Sequence, residues 1–130
     1  MSLKEKITKV EEFHNAFGIS NADGIDEELE PSQYLLRYSL LKEENEEYLK
    51  ACEEKDIVEI ADALGDQLYI IFGTLLKHGL QHKIEEVFDE IHRSNMSKLG
   101  EDGNPIYRED GKVMKGPGYF KPGITAILEK

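Results

Sequence analysis

The chain has 130 residues, a formal net charge of −11 and a single cysteine. That length suits one domain and is short enough that an active site shared between subunits is plausible, while the charge argues against nonspecific binding to a nucleic-acid backbone or an anionic membrane. Cys52 cannot close an internal disulfide, no apolar run nears the ~20 residues of a membrane span, and residues 1–4 lack a signal peptide's apolar stretch, so a cytoplasmic protein is expected.

Leu3, Ile7, Val10, Phe13 and Phe17 recur every three or four positions and predict one helical face over residues 3–17, closed by Gly18. Residues 18–31, with Asn21, Asp23, Gly24 and Pro31, read as a loop. A second helix opens at Pro31 or Ser32 and runs to about Lys55. Asp56 is the expected N-cap of a third helix, with Glu59 at the capping-box position and Gly79 as the stop after His78. A fourth helix covers roughly 81–96, with Ile84, Val87, Phe88 and Ile91 facing inward. Residues 100–123 then hold six of the eleven glycines and three of the four prolines, which excludes a long helix. Within them, residues 106–113 form a candidate short β-hairpin whose Asp110-Gly111 suits a type I′ turn. The expected fold is all-α: an antiparallel four-helix bundle over 1–98 with an irregular C-terminal arm over 99–130, packed on the bundle or on a neighbouring subunit as part of the same domain.

The chemistry concentrates on the second and third helices. Leu36, Leu40, Glu43/Glu44, Glu47 and Ala51 form one stripe, so the carboxylates continue an apolar face. On the third helix, residues 60–76 carry only two charges, Asp62 and Asp66, and Glu59, Asp62 and Asp66 follow at i, i+3 and i+7. Residues 43–47 alone could be a solvated acidic face, and Glu59 could act only as a cap. Asp62 and Asp66 are harder to read that way, because so apolar a helix has little exposed face to give them and no Lys or Arg lies between Lys55 and Lys77. Carboxylates aimed at a core are costly unless they hold a cation, and oxygen-only ligands select magnesium or manganese. A di-iron site needs Glu-x-x-His on two helices; Glu11-x-x-His14 lies off the acidic helices and Asp89-x-x-His92 offers only an aspartate version. His78 and His82 flank Gly79 as capping or surface groups.

Glu44-x-x-Glu47 followed by Glu59-x-x-Asp62 resembles the paired acidic signature of the all-α nucleoside triphosphate pyrophosphohydrolases, in their MazG-like, phosphoribosyl-ATP pyrophosphohydrolase-like branch, related to the dimeric dUTPases. The resemblance extends through Asn15-Ala16-Phe17-Gly18, Arg37, residues 94–98 and residues 110–116. It implies metal ligands Glu44, Glu47, Glu59 and Asp62 with Asp66 added, the fourth ligand being Asp62 or Asp66 according to register. It also implies magnesium-dependent cleavage between the α- and β-phosphates of a nucleoside triphosphate, in nucleotide-pool house-cleaning. Glu43 or Glu47 is the candidate general base. Residues 93–121 hold six basic residues against four acidic ones, and Arg93, Lys98, Lys112 and Lys115 are the candidate phosphate contacts. Asn15 and Asn95 are candidates for reading a base edge, and Tyr119 or Phe120 for stacking on the base or packing the arm against the bundle. Apolar stripes on more than one side of the third helix suggest a homodimer or dimer of dimers. A phosphoribosyl-ATP pyrophosphohydrolase and a metal- or nucleotide-binding module without turnover are the competing readings.

Overall fold

The structure, a computed structural model, describes residues 2–130. It divides into two compact units, Met1–His82 and Lys83–Lys130. The first holds α1 (Leu3–Ala16), α2 (Pro31–Glu53) and α3 (Ile57–His78); the second holds α4 (Ile84–Met96) and α5 (Ile124–Leu128). Among the described residues there is no strand, so the chain is all-α as expected. None of these helices is long and apolar enough to cross a membrane.

In the first unit α3 is the central element, packed by α2 along its length and by α1. The three residues between α2 and α3 force an antiparallel hairpin. Lys55 makes the turn at φ +57, giving its N–H to the Cys52 carbonyl while Asp56 N–H reaches the Ala51 carbonyl. This is a Schellman closure with lysine where glycine is usual. The Asp56 carboxylate then accepts from the N–H groups of Val58 and Glu59. Because Asp56 N–H is already spent on Ala51, the reciprocal half of the capping box is absent and the Glu59 side chain is not needed as a cap.

At the other end, Gly79 stops α3 at φ +71, and a Cβ there would run into the Gly24 carbonyl. Residues 17–30 are stitched to this end: Ala22 N–H donates to the Leu76 carbonyl at 2.9 Å and Asp26 N–H to that of His78 at 2.8 Å. These bonds satisfy carbonyls the helix leaves open. On α1 the buried stripe is Ile7, Val10 and His14, whereas Phe13 and Phe17 are exposed. The sequence period placed the two phenylalanines inward; the stripe instead drifts by one position and ends on the histidine.

In the second unit α4 packs on α5. Ser94 Oγ donates to the Phe120 carbonyl at 2.8 Å, and Phe120 N–H donates back to Ser97 Oγ at 3.2 Å. Phe88 and Ile91, expected inside, are 65% and 41% exposed, because a five-residue α5 covers only part of the α4 face. The expected hairpin survives as one antiparallel bridge, Tyr107 to Val113. Its turn differs from the type I′ form: only Gly111 has positive φ, and its N–H closes on the Arg108 carbonyl, so the loop is a three-residue turn.

Candidate active site on the α2–α3 hairpin

Glu44 and Glu47 project from α2, one turn apart, toward Asp62 and Asp66 on α3, also about one turn apart. Glu44 and Asp66 are half-buried and face each other, while Glu47, Asp62, Glu43 and Glu59 are exposed. The expectation of four inward carboxylates is thus met by two, because α3 presents an open flank to solvent at Asp62. Burial pushes the Glu44 carboxyl up to about 7, helped by its neighbour Glu47 and by the charges of Asp66 and Asp62. Burial, then Asp62 and Glu47, also raises Asp66 above its ordinary value, while its hydrogen bond with Glu44 opposes the rise. Glu44 Oε2 is buried with no hydrogen-bond partner. As they stand, no three of the described carboxyl, imidazole or thiol groups converge closely enough to hold an ion.

Glu59 lies beside Glu47, with Lys50 and Glu54, in a shallow recess on the Ala51 side of the cluster. Glu43 lines a separate surface groove with Glu46 and Glu47. His14 belongs to neither acidic set: its Nδ1 meets Asn21 Oδ1 at 2.6 Å.

The second unit engages two of the expected phosphate contacts. Arg93 pairs with Glu90 at 2.8 Å and lies 4.4 Å over the Phe120 ring, and Lys115 Nζ lies 4.7 Å over Tyr119. Asn95 is exposed on α4, and the Lys98 carbonyl accepts from Gly116 N–H at 2.8 Å. Lys112 follows the Gly111 turn, its N–H on Asp110 Oδ1 at 3.1 Å.

One feature of the hairpin escaped the sequence reading. A cavity of about 490 Å³ opens among α1, the loop after it, α2 and α3. Arg37 crosses it, donating from Nε to Thr74 Oγ1 at 3.0 Å and from Nη2 to the Ile70 carbonyl at 2.8 Å. Lys77, 5% exposed, donates to the carbonyl and hydroxyl of Ser20 at 2.9 and 3.1 Å. Burial lowers the pKa of Arg37, Lys77 and His14, and Arg37 adds to the lowering at Lys77. The ion pairs found among the described residues all lie in the second unit, so neither cation has a carboxylate partner. The available signal was Arg37 itself, a lone cation on the Leu36–Leu40 stripe.

The chain was compared with known proteins. The family model described as phosphoribosyl-ATP pyrophosphohydrolase matches residues 10–95, which take in all of α2 and α3 with the acidic cluster. A search of curated proteins gave no match. A crystal structure of a candidate NTP pyrophosphohydrolase from Exiguobacterium sp. 255-15 is similar, at 26% identity and a TM-score of 0.47, covering 98% of this chain and 92% of that one. The family match spans more than half of the chain and the whole acidic hairpin: the chain belongs to the phosphoribosyl-ATP pyrophosphohydrolase family, within the MazG-like all-α NTP pyrophosphohydrolases.

Proposed function

We propose that the protein is a magnesium- or manganese-dependent nucleotide pyrophosphohydrolase that cleaves a nucleoside triphosphate between its α- and β-phosphates, giving a nucleoside monophosphate and pyrophosphate. The observation that carries this reading is the half-buried Glu44–Asp66 pair, with the Glu44 carboxyl raised by burial and by its acidic neighbours and its Oε2 lacking any partner. The oxygen-only donor set fits a hard divalent cation. Glu44, Glu47, Asp62 and Asp66 would hold it, and Glu59 stands beside Glu47 as a further ligand. When bound, such an ion supplies neutralisation of phosphate charge.

The remaining tasks fall to the chain's own groups. A carboxylate beside the ion takes a proton from the attacking water; Glu43 is exposed and placed for it, and Glu47 serves instead only where Glu44, Asp62 and Asp66 hold the ion without it. Lys98 and Lys112 are the preferred phosphate contacts in the second unit, since Arg93 and Lys115 already engage Glu90 and Tyr119. Self-association into a dimer or dimer of dimers is supported by the exposure of Ile57, Val58, Leu64 and Leu68 on α3.

Product analysis tests the reading. The protein is incubated with magnesium and a panel of canonical and modified triphosphates plus phosphoribosyl-ATP. Monophosphate and pyrophosphate are expected, and Glu47→Gln should lower kcat by about 100-fold or more. Diphosphate plus orthophosphate would overturn α–β cleavage. Inertness toward every substrate would favour a binding module.

A further inference from the structure

We infer that the cavity between Arg37 and Tyr69 is a nucleobase subsite that favours bases presenting carbonyl oxygens, with Arg37 as the group that reads them. The inference rests on the nucleotide reading above and adds the base class. Its first support is position. Arg37 lies seven residues before Glu44 on α2, about 10 Å along the helix axis, and Tyr69 and Ile70 lie one turn past Asp66 on α3. The cavity therefore continues the acidic site along the hairpin, at the reach of a nucleoside whose phosphates sit at the carboxylates.

The walls suit a flat heterocycle. Phe13 and Tyr69 stand edge to face with ring centroids 5.7 Å apart, each partly exposed, and Leu36, Leu40 and Ile70 supply apolar lining. Stacking on such rings binds bases without regard to identity. Discrimination must come from the polar groups: Arg37 and Lys77 offer donors only, while Gln33 and His14 can also accept. A guanidinium carries five N–H donors and an ammonium three. Arg37 commits two to α3 and Lys77 commits two to Ser20, which leaves donors on both. No carboxylate lines the cavity. His14 Nδ1, held by Asn21 Oδ1, carries the proton that this bond needs, and burial disfavours a second proton on the ring, which leaves Nε2 as an acceptor. A carbonyl oxygen satisfies the free donors; an exocyclic amino group in its place sets donor against donor in a partly buried site.

Calorimetric binding of monophosphates tests this without turnover. Uridine and cytidine monophosphates exchange a keto for an amino group at one ring position, with the adjacent ring nitrogen changing from donor to acceptor, as do inosine and adenosine monophosphates. The keto member of each pair is expected to bind at least about tenfold more tightly. Arg37→Gln should bring both ratios toward one, because an amide can turn to offer donor or acceptor. Tyr69→Leu should weaken all four ligands together and leave the ratios unchanged. Circular dichroism checks the fold, and Arg37→Lys, with fewer donors but the same charge, should give intermediate ratios. Equal affinities within the pairs, tighter binding of the amino members, no binding of any monophosphate, or ratios unmoved in a folded Arg37→Gln protein would overturn the assignment. A retained base preference in a protein that hydrolyses nothing would instead sink only the pyrophosphohydrolase reading.

Discussion

Gly73 offers a direct measure of what Arg37 contributes to the hairpin. In mid-helix, alanine is intrinsically better than glycine by about 1 kcal/mol, so Gly73→Ala should stabilise a helix with room for the methyl. Here a Cβ would meet Arg37 Nη2 at 2.5 Å and His14 Nε2 at 3.0 Å. The guanidinium is the end of a flexible chain and can retreat, but only by giving up its bonds to Ile70 and Thr74. Two hydrogen bonds from a charged donor are worth roughly 1.5–3 kcal/mol each, and water recovers part of that loss. Against the gain in helix propensity, a net destabilisation of about 1–3 kcal/mol is expected. Gly65, on the same helix, has nothing within 4 Å of its would-be Cβ, so Gly65→Ala should stabilise by roughly 0.5–1 kcal/mol. Urea denaturation at fixed protein concentration reads both changes, as opposite shifts in midpoint with unchanged slope. If Gly73→Ala stabilises as much as Gly65→Ala, the guanidinium is not seated against α3 as described.

Lys55 holds φ +57 at the Schellman turn, where glycine avoids the Cβ clash, so Lys55→Gly should raise stability by roughly 0.5–1 kcal/mol in the same assay. The metal-free protein should lose stability as pH rises from the ordinary carboxylate range through about 7, the folded-state value of Glu44. The sign follows from proton counting: between those limits the unfolded chain has released the Glu44 proton while the folded one keeps it, and above about 7 the full cost applies. After solvent screening at a half-buried group that cost is about 2 kcal/mol, and Glu44→Gln should flatten the profile measured in chelator. Magnesium at saturating concentration should raise the melting temperature by about 5 °C or more, through binding to the folded state alone. Asp66→Asn should reduce that shift, and an unaltered shift would remove Asp66 from the ligand set.

The ends of α3 and the start of α2 were readable because each is marked by a local device: Asp56 before α3, Gly79 after it, Pro31 opening α2; α4, with no side-chain cap, begins at Ile84 rather than near residue 81. The acidic cluster was readable for a similar reason, since a charge interrupting an apolar stripe violates the pattern around it. What was not readable depends on contacts distant in sequence. Periodicity could not decide between Phe13 and His14 as the buried residue, because the choice is made by Asn21 and by the space over Gly73. The exposure of Glu47 and Asp62 depends on which flank of α3 is left uncovered, and α5, too short for a strong period, left no trace in the pattern. The Arg37 cavity was missed because Lys77 reads as an ordinary last-turn lysine until residues 17–30 fold back onto it.

The acidic site and the cavity are consequences of one register. Glu44 faces Asp66, and Arg37, two turns earlier on α2, faces Gly73, two turns later on α3, as an antiparallel pair with matched pitch requires. Along the same seam Ala51 and Ala63 are buried at 3% and 2% exposure, and small side chains there let the helices approach closely. A large polar side chain is thus met by a carboxyl at one station and by a bare glycine backbone at another, so the two ends of the seam differ in charge without a change in helix geometry. Shifting α3 by one residue turns its side chains by about 100°, which would part Glu44 from Asp66 and close the space for Arg37 in the same step. The Lys55 turn that sets the register is therefore coupled to both features. An alanine inserted between Lys55 and Asp56 should abolish the magnesium-induced thermal shift and the base preference together, whereas the same insertion within residues 26–29, where no helix register is set, should leave the thermal shift intact.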